Sequence, residues 1–185
     1  MNLSVNERII ETASRLFYFE GYNQTGINQI IREASVAKAS LYQHFRSKEE
    51  IAVAYLQRRH IMWMGKLSEF VVAEESGKQK VIGCFNYLAD WLTEVGFRGC
   101  GFQNIITDLP KDHQSIKDEV LSHKNELREW IHNHLKEDEK LTKKEVEKLG
   151  DEVLVLIEGA IMLSQIQQSV APIEVARGAC TRLLS

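Results

Sequence analysis

Apolar side chains recur every three or four residues along most of the chain, and this spacing predicts helices. The first helix begins at a capping box in residues 4–7, where a serine and a glutamate can satisfy backbone N–H groups. Gly21 is placed to end it. Similar boxes at residues 47–50 and 142–145 predict the starts of two longer helices.

The remaining periodic segments complete an all-α fold of about nine helices, without a convincing strand. Two short helices are joined by Ser35-Val36-Ala37, and Thr25 is the expected cap of the first. A polar joint is expected at residues 74–78. The other expected helices lie at residues 27–34, 38–45, 47–70, 80–95, about 101–109 before Pro110, 116–135, 143–169 and 172–184, the last with Pro172 in its first turn.

Composition supports this fold class and excludes several others. Two prolines and 11 glycines are too few for the many turns of an all-β chain of 185 residues. With 44% hydrophobic and 26% charged residues, the chain is neither disordered nor fibrous. Its three cysteines are widely spaced, which is typical of a reducing compartment. No apolar run predicts a signal peptide or a membrane span, so we expect a cytoplasmic protein.

The two short helices carry the main functional signal. A connection of three or four residues is typical of a helix-turn-helix, whose second helix reads DNA. The apolar residues Ile30, Ala34, Val36 and Leu41 are expected to face inward and hold the pair together. This leaves an outward face rich in hydrogen-bonding groups: Lys38, Ala39, Ser40, Tyr42, Gln43 and His44. From periodicity alone, an ordinary helical corner with a solvated face remains the alternative interpretation.

The motifs in this region resemble a known family. The segments at residues 25–30 (TGINQI), 36–45 (VAKASLYQHF) and 47–50 (SKEE) look like the N-terminal domain of TetR-type transcriptional regulators, as do Leu16-Phe17 and Gly21-Tyr22. The resemblance is specific over about residues 5–55. Two residues depart from it. Ser35 replaces the usual turn glycine, where a left-handed backbone costs about 1 kcal/mol. Ala37 replaces the usual Ser or Thr cap, a loss of about 0.5–2 kcal/mol.

Individual DNA contacts follow from the chemistry of the residues, with the family as support. Thr25 and Lys48 lie near helix N-termini, where amide dipoles with a hydroxyl or an ammonium hold a phosphate. Lys38 and Gln43 carry donors for major-groove base edges, and Asn28 is a weaker base reader. Ala39 offers a methyl for van der Waals contact. Ser40 is either a phosphate contact or a plain helix-surface residue. The resemblance implies that Tyr42 and His44 clamp phosphates.

The distribution of charge agrees with DNA binding at one end of the chain. The formal net charge of −3 alone gives little support for a nucleic-acid partner. Residues 1–60, however, contain eight basic and six acidic residues, whereas residues 61–185 contain 15 and 20. A slightly basic head on an acidic body is expected when only one end meets DNA.

The resemblance also implies a division of labour between two domains. Residues 1–50 would bind double-stranded DNA, with helix 4 leading onward from residue 47, and residues 51–185 would bind a small-molecule effector and dimerise. The expected protein is a homodimeric repressor that a ligand releases from a pseudo-palindromic operator. The last two long helices, about 143–169 and 172–184, would form the dimer interface. Gly159, Ala160 and Ser164 could allow close helix approach there, although plain core packing explains them nearly as well.

A ligand pocket is expected among the aromatic residues of the second domain, with a few polar groups. The candidates are Trp63, Phe85, Trp91, Cys100, Gln103, Asn104, His123 and Trp130. Most of these aromatic residues would be ordinary core by default. Cys100 lies in a glycine-rich break beside Arg98, so a redox or electrophile sensor is an alternative to a small residue in a tight turn.

Other chemistry finds little support in the sequence. The histidines at positions 132 and 134 are two apart on a helix, so they point in different directions and do not share a metal. No dinucleotide, phosphate-loop or zinc-protease motif is present. We therefore expect no enzyme, no cofactor and no metal. The remaining alternative function is a helical ligand- or protein-binding module whose DNA affinity has been weakened or lost.

Overall fold

The computed structural model describes residues 3–109 and 113–185, and over these residues it is all-α, as predicted. The predicted stop at Pro110 lies outside the described residues. The described chain forms nine helices: α1 (Val5–Phe19), α2 (Ile27–Glu33), α3 (Lys38–His44), α4 (Lys48–Phe70), α5 (Gly77–Glu94), α6 (Gly101–Asp108), α7 (Gln114–Leu135), α8 (Lys143–Gln167) and α9 (Ala171–Leu183).

Capping side chains explain why several helices begin where they do. Ser4 and Thr142 each form the complete predicted capping box with the glutamate three residues later. At the start of α4 the box is altered. The Ser47 hydroxyl accepts a hydrogen bond from the backbone N–H of Glu50 at 3.1 Å, but the Glu50 carboxylate accepts from the N–H of Arg46 at 2.7 Å. Pro172 occupies the first turn of α9, as predicted.

The start of α5 differs from the prediction. The helix begins at Gly77, three residues before the expected start, because the side chain of Ser76 caps it by accepting from the N–H of Gln79. A Cβ atom at Gly77 would lie 1.8 Å from the carbonyl oxygen of His134, so only glycine allows this approach. The glycine that suggested a joint is therefore the first residue of the helix.

The described residues group into two compact units, and two of the boundaries between them fall inside helices. Within the described chain, the first unit comprises residues 3–62, 101–109 and 113–122, and the second comprises Trp63–Cys100 and His123–Ser185. Helices α4 and α7 each contribute residues to both units. The predicted boundary between residues 50 and 51 separates a DNA-binding function from effector binding and dimerisation. This division of function is not the same as the packing units, and it stays a prediction.

Each unit has its own apolar core, to which each buried aliphatic side chain contributes about 1.5–3 kcal/mol. In the first unit, helices α2 and α3 pack on α1, and α6 also contacts α1. In the second, α5, α8 and α9 pack against one another. The first core includes Ile9, Leu16, Ile30, Leu41, Ile51, Leu56 and Phe102, and the second includes Leu67, Phe85, Leu88, Leu92, Leu127, Val153 and Ile157. Among the described residues, no helix combines the length and the apolar character that crossing a membrane requires.

Candidate nucleic-acid interface

The turn between α2 and α3 is a complete Schellman motif built on a serine. Ser35 has φ of +52°, the left-handed conformation that usually selects glycine. Its N–H donates to the carbonyl of Arg32, and the N–H of Val36 donates to the carbonyl of Ile31, both at 3.2 Å. The sequence therefore predicted the strained position correctly, and the turn forms in spite of its serine.

A side chain from α1 supports this turn. The guanidinium of Arg8 donates from Nη1 to the carbonyl oxygen of Ser35 at 3.2 Å. Ala37 is the N-cap of α3 and makes no side-chain cap bond, as predicted from its methyl group. Buried residues Ile30, Ala34 and Leu41 hold the two helices together, whereas Val36 is only half-buried.

The outward face of α3, which we call the reading face, consists of exposed Lys38, Ala39, Tyr42, Gln43 and His44. The ring of Tyr42 is 45% exposed. Ser40, the sixth predicted contact on this helix, is half-buried, and Asn28 on α2 is exposed. A short helix presenting an ammonium, an amide, a phenol and an imidazole to solvent is chemically suited to base edges and phosphates.

Thr25 does not cap α2, contrary to the prediction. The N-cap is Gly26, which has no side-chain cap bond. Thr25 is fully buried, and its hydroxyl donates to the carbonyl oxygen of Gly21 at 2.8 Å. The hydroxyl closes the loop before α2 because a buried donor must find an acceptor, and here the nearest is a backbone carbonyl. A phosphate contact by this hydroxyl stays a prediction.

Lys48, the other predicted phosphate ligand, begins α4. Its Nζ lies 4.2 Å from the centroid of the Tyr22 ring, a cation–π contact. Burial lowers the pKa of Lys48, and the carboxylate of Asp108 acts in the opposite direction. The position at a helix N-terminus matches the prediction, and the aromatic support beneath the ammonium was not foreseen.

A set of contacts between α4 and the start of α7 was not predicted from the sequence. Glu49 accepts a hydrogen bond from the Ser115 hydroxyl and lies 3.0 Å from Nδ1 of His113. The hydrogen bond from Ser115, with a further contribution from His113, holds the pKa of Glu49 below its usual value. Ser115 lies 66 positions from Glu49 in the sequence, so no local pattern could have identified this contact.

The second unit exposes five Val, Leu and Ile side chains on α8 and α9. We call this the apolar face: Val155, Leu163, Ile166, Val175 and Leu183. Val155, Ile166 and Val175 are 71%, 68% and 72% exposed. Two grooves of about 610 and 390 Å³ lie along the same helices. Gly159 and Ala160 both line the smaller groove. Ala160 is otherwise largely buried, and Ser164 is fully buried.

The predicted pocket residues are divided between the two units. Trp63, Trp91 and His123 come together in the second unit, with the Trp63 ring centroid 6.1 Å from Trp91 and 5.7 Å from His123. Phe85 is fully buried, and Trp130 packs edge-on against His134 instead. Gln103 and Asn104 belong to the first unit. The aromatic cluster is well packed, and the effector pocket stays a prediction.

Cys100, the remaining pocket candidate, has Lys124 as a cationic neighbour, whereas the sequence suggested only Arg98. Nζ of Lys124 lies 3.6 Å from its sulfur and donates to Glu158 at 2.7 Å. Burial disfavours the charged ammonium, but Cys100 and Glu158 outweigh burial and hold the pKa of Lys124 above its ordinary value. Cys100 is itself buried, as are the free thiols of Cys84 and Cys180.

Within residues 3–109 and 113–185 no cluster of His, Cys, Asp or Glu has an arrangement that could hold a metal ion. The exposed polar side chains of α3 are instead suited to binding DNA. A helix-turn-helix with a polar, exposed second helix defines a DNA-binding protein of the transcriptional-regulator class.

Comparison with known proteins agrees with this class. Residues 9–55 match the family model of bacterial regulatory proteins of the tetR family, and residues 78–179 match the C-terminal domain of LmrA/YxaF-like transcriptional regulators. The chain therefore belongs to the TetR family, and it is a TetR-type helix-turn-helix transcriptional regulator.

Relatives in sequence are transcriptional regulators, and a solved structure shares the fold. The chain is 29% identical over 191 residues to the transcriptional regulator LmrA of Bacillus subtilis, covering 90% of this chain and 89% of LmrA. It is 41% identical over 69 residues to YxaF of the same species, covering 37% of this chain and 34% of YxaF. The crystal structure of a TetR-family regulator from Streptomyces coelicolor shares the fold, with a TM-score of 0.86, 24% identity and coverage of 98% and 89%.

Proposed function

We propose that the protein is a cytoplasmic homodimeric repressor that binds a pseudo-palindromic operator with α3 and leaves it when a small molecule binds. The observation that carries this proposal is the reading face. Its polar side chains are exposed, although the helix beneath them is anchored by the fully buried Leu41. The protein works by binding and not by catalysis, and repression is the usual mode of the family.

The proposed contacts divide into base readers and phosphate ligands. Lys38 and Gln43 read base edges in the major groove, with Asn28 beside them, and Ala39 contacts a thymine methyl. Tyr42, His44 and Lys48 hold the backbone, with a contribution from the loop at Thr25. Base readers decide which sequence is bound, whereas phosphate ligands decide how tightly any sequence is bound.

The apolar face supports the proposed dimer. Soluble monomers rarely expose contiguous apolar patches larger than about a few hundred Å² unless the patch binds a partner. Exposed aliphatic side chains beside two grooves on the same pair of helices therefore favour a covered face. A second copy is the occupant that DNA reading requires, because one short helix contacts too few base pairs for specificity. Two-fold pairing of α8 and α9 would bury the same residues on both protomers and present two reading faces to one operator.

Effector release follows from a shift of populations. A ligand that binds better to a dimer with widely spaced reading faces moves the population toward that state. The dimer then no longer fits both half-sites at once, and operator affinity falls. The candidate pocket residues of the second unit are Trp63, Phe85, Trp91, Cys100, His123 and Trp130, and Gln103 and Asn104 lie in the first unit.

The alternative function, a binding module with lost DNA affinity, rested on Ser35 and Ala37. Both hydrogen bonds of the Schellman turn are present at Ser35, and Arg8 adds a third contact to its carbonyl. The turn that orients α3 is therefore formed, which favours the DNA-binding proposal.

The test is selection of bound sequences from a random DNA pool, together with a gel shift on the DNA that flanks the coding region. We expect a two-fold symmetric site to be enriched, and its protein complex to contain two copies of the chain. Placing this site in a reporter promoter then distinguishes repression from activation. Failure to enrich any palindrome, with no shift on the flanking DNA, would overturn the proposal in favour of the binding module.

A further inference from the structure

The loop between α1 and α2 is bound to Asp108, the last residue of α6. The backbone N–H of Asn23 donates to Oδ2 of Asp108 at 2.8 Å, and Nδ2 of Asn23 donates to Oδ1 at 3.0 Å. The same Nδ2 also donates to the backbone carbonyl of Asp108. Both the main chain and the side chain of Asn23 are therefore held by one residue, 85 positions away in the sequence.

The loop held in this way leads directly into the helix-turn-helix. Gly21 has φ of +99°, and a Cβ atom there would lie 3.3 Å from Oδ2 of Asp108, so the carboxylate packs close to this backbone. The N–H and the hydroxyl of Thr25 both donate to the carbonyl of Gly21, at 3.3 and 2.8 Å. These bonds fix the path of the chain up to Gly26, the N-cap of α2.

Asp108 also acts on Lys48, the proposed phosphate ligand of α4. The carboxylate favours the charged ammonium, while burial disfavours it. The ring of Tyr22, between the loop residues Gly21 and Asn23, supports the ammonium from below at 4.2 Å. The Asp108 carboxylate therefore contacts the loop that leads into α2, and its charge also favours the ammonium at the start of α4.

We propose that Asp108 is a positioning residue for operator binding, which holds the Asn23 loop, and with it the start of α2, in the geometry that contacts DNA. This inference rests on the proposed function. Asp108 lies in the segment that the C-terminal family model covers, yet it packs with the DNA-binding helices in the first unit. Its negative charge would by itself repel DNA, so its value to the protein lies in the hydrogen bonds.

The experiment compares Asp108→Asn and Asn23→Ala with Asp118→Asn as the matched control. Asp118 is an exposed carboxylate on α7 in the same unit, so its substitution changes net charge equally. Affinity is measured for the selected operator and for unrelated DNA of equal length, over a range of salt concentrations. Circular dichroism and thermal melting confirm that each variant is folded at the assay temperature.

We expect Asp108→Asn and Asn23→Ala each to weaken operator binding by about tenfold, as loss of one or two hydrogen bonds predicts. Binding to unrelated DNA should change less, and Asp118→Asn should bind like wild type. The double variant Asn23→Asp with Asp108→Asn restores an acceptor–donor pair between the side chains and should regain part of the lost affinity.

Three results would overturn the inference. Tighter binding of Asp108→Asn to every DNA, with no effect of Asn23→Ala, would make Asp108 a repelling charge only. Unchanged operator affinity with lowered melting temperature would make it a structural brace. In both cases wild-type binding would leave the proposed function intact, whereas a wild type that binds no DNA would overturn the proposed function and this inference together.

Discussion

The reading face and the apolar face are both exposed, but their chemistry is opposite. The reading face has an ammonium, an amide, a phenol and an imidazole on seven residues of helix, supported by a buried leucine. The apolar face has valine, leucine and isoleucine side chains along α8 and α9, beside two grooves. Exposed polar groups are stable in water without a partner, whereas exposed aliphatic groups gain free energy when they are covered. The comparison therefore predicts conditional DNA binding and permanent dimerisation.

The largest effect is expected from a charge placed on the apolar face. Val155→Asp or Val175→Asp would bury a carboxylate in the dimer, and this should weaken dimerisation by at least about a hundredfold. Operator binding should be lost with it, because one reading face does not hold a full site. Analytical ultracentrifugation and gel shift measure the two effects.

The control for this prediction is Val72→Asp. Val72 is 73% exposed and lies in the second unit, outside α8 and α9. The Val72→Asp substitution should leave the protein dimeric. A dimer that survives both Val155→Asp and Val175→Asp would show that the apolar face is not the interface.

The second effect separates two kinds of residue within the DNA-binding unit. Lys38→Ala should relax base preference at one position of each half-site, by about 1–3 kcal/mol of discrimination. Lys48→Ala should weaken all sequences alike and reduce the salt slope by about 0.9 for each lost phosphate contact, hence about 1.8 per dimer. Titrations of matched and mismatched operators over a salt series measure both quantities.

Lys66→Ala serves as the control for charge, since Lys66 is exposed on α4 and lies in the second unit. It should change neither base preference nor salt slope. Equal changes in base preference for Lys38→Ala and Lys48→Ala would contradict the separation into readers and phosphate ligands.

The third effect concerns the support of the reading face rather than its contacts. Ser35→Gly relieves a left-handed serine and should stabilise the protein by about 1 kcal/mol, which raises the melting temperature by about 2–4 °C. Ser40→Gly, at a right-handed position inside α3, should destabilise it by about 0.5 kcal/mol. If both glycines lower the melting temperature, strain at Ser35 is not the cause. Dimerisation should be unaffected by either.

The fold was largely predictable because helices depend on local patterns. The capping boxes at residues 4–7 and 142–145, the proline of α9 and the left-handed Ser35 are all read from neighbouring residues, and the structure confirms them. The start of α5 was predicted wrongly although its Ser76 cap is local, because Gly77 was interpreted as a joint. The reason for a glycine at this position, its close approach to His134, is a tertiary contact.

The candidate site was predictable only in part, for the same physical reason. The exposed positions of α3 follow from periodicity over seven residues. The role of Thr25 in closing its loop depends on the position of the Gly21 carbonyl, and the contact of Asn23 with Asp108 joins residues 85 positions apart. Residues that recognise a partner are local in sequence here, whereas those that hold them in place are not.

The smallest effect is expected at the ion pair that joins α1 to α2. Arg15 Nη2 lies 2.5 Å from Oε2 of Glu33, and the hydrogen bond from Arg15 is the main reason that the pKa of Glu33 is below its usual 4.5. A carboxylate with a lowered folded pKa stabilises the protein fully above pH 4.5, and this contribution is lost as the pH falls through the folded pKa. Glu33→Gln should therefore lower the melting temperature slightly at pH 7, and the difference from wild type should shrink as the pH falls below 4.5. Because both groups are exposed, high salt should also reduce the difference.

Glu11→Gln, which removes an exposed carboxylate elsewhere on α1, is the control for net charge. A difference that does not shrink as the pH falls below 4.5, or that Glu11→Gln reproduces, would contradict a specific role for this pair.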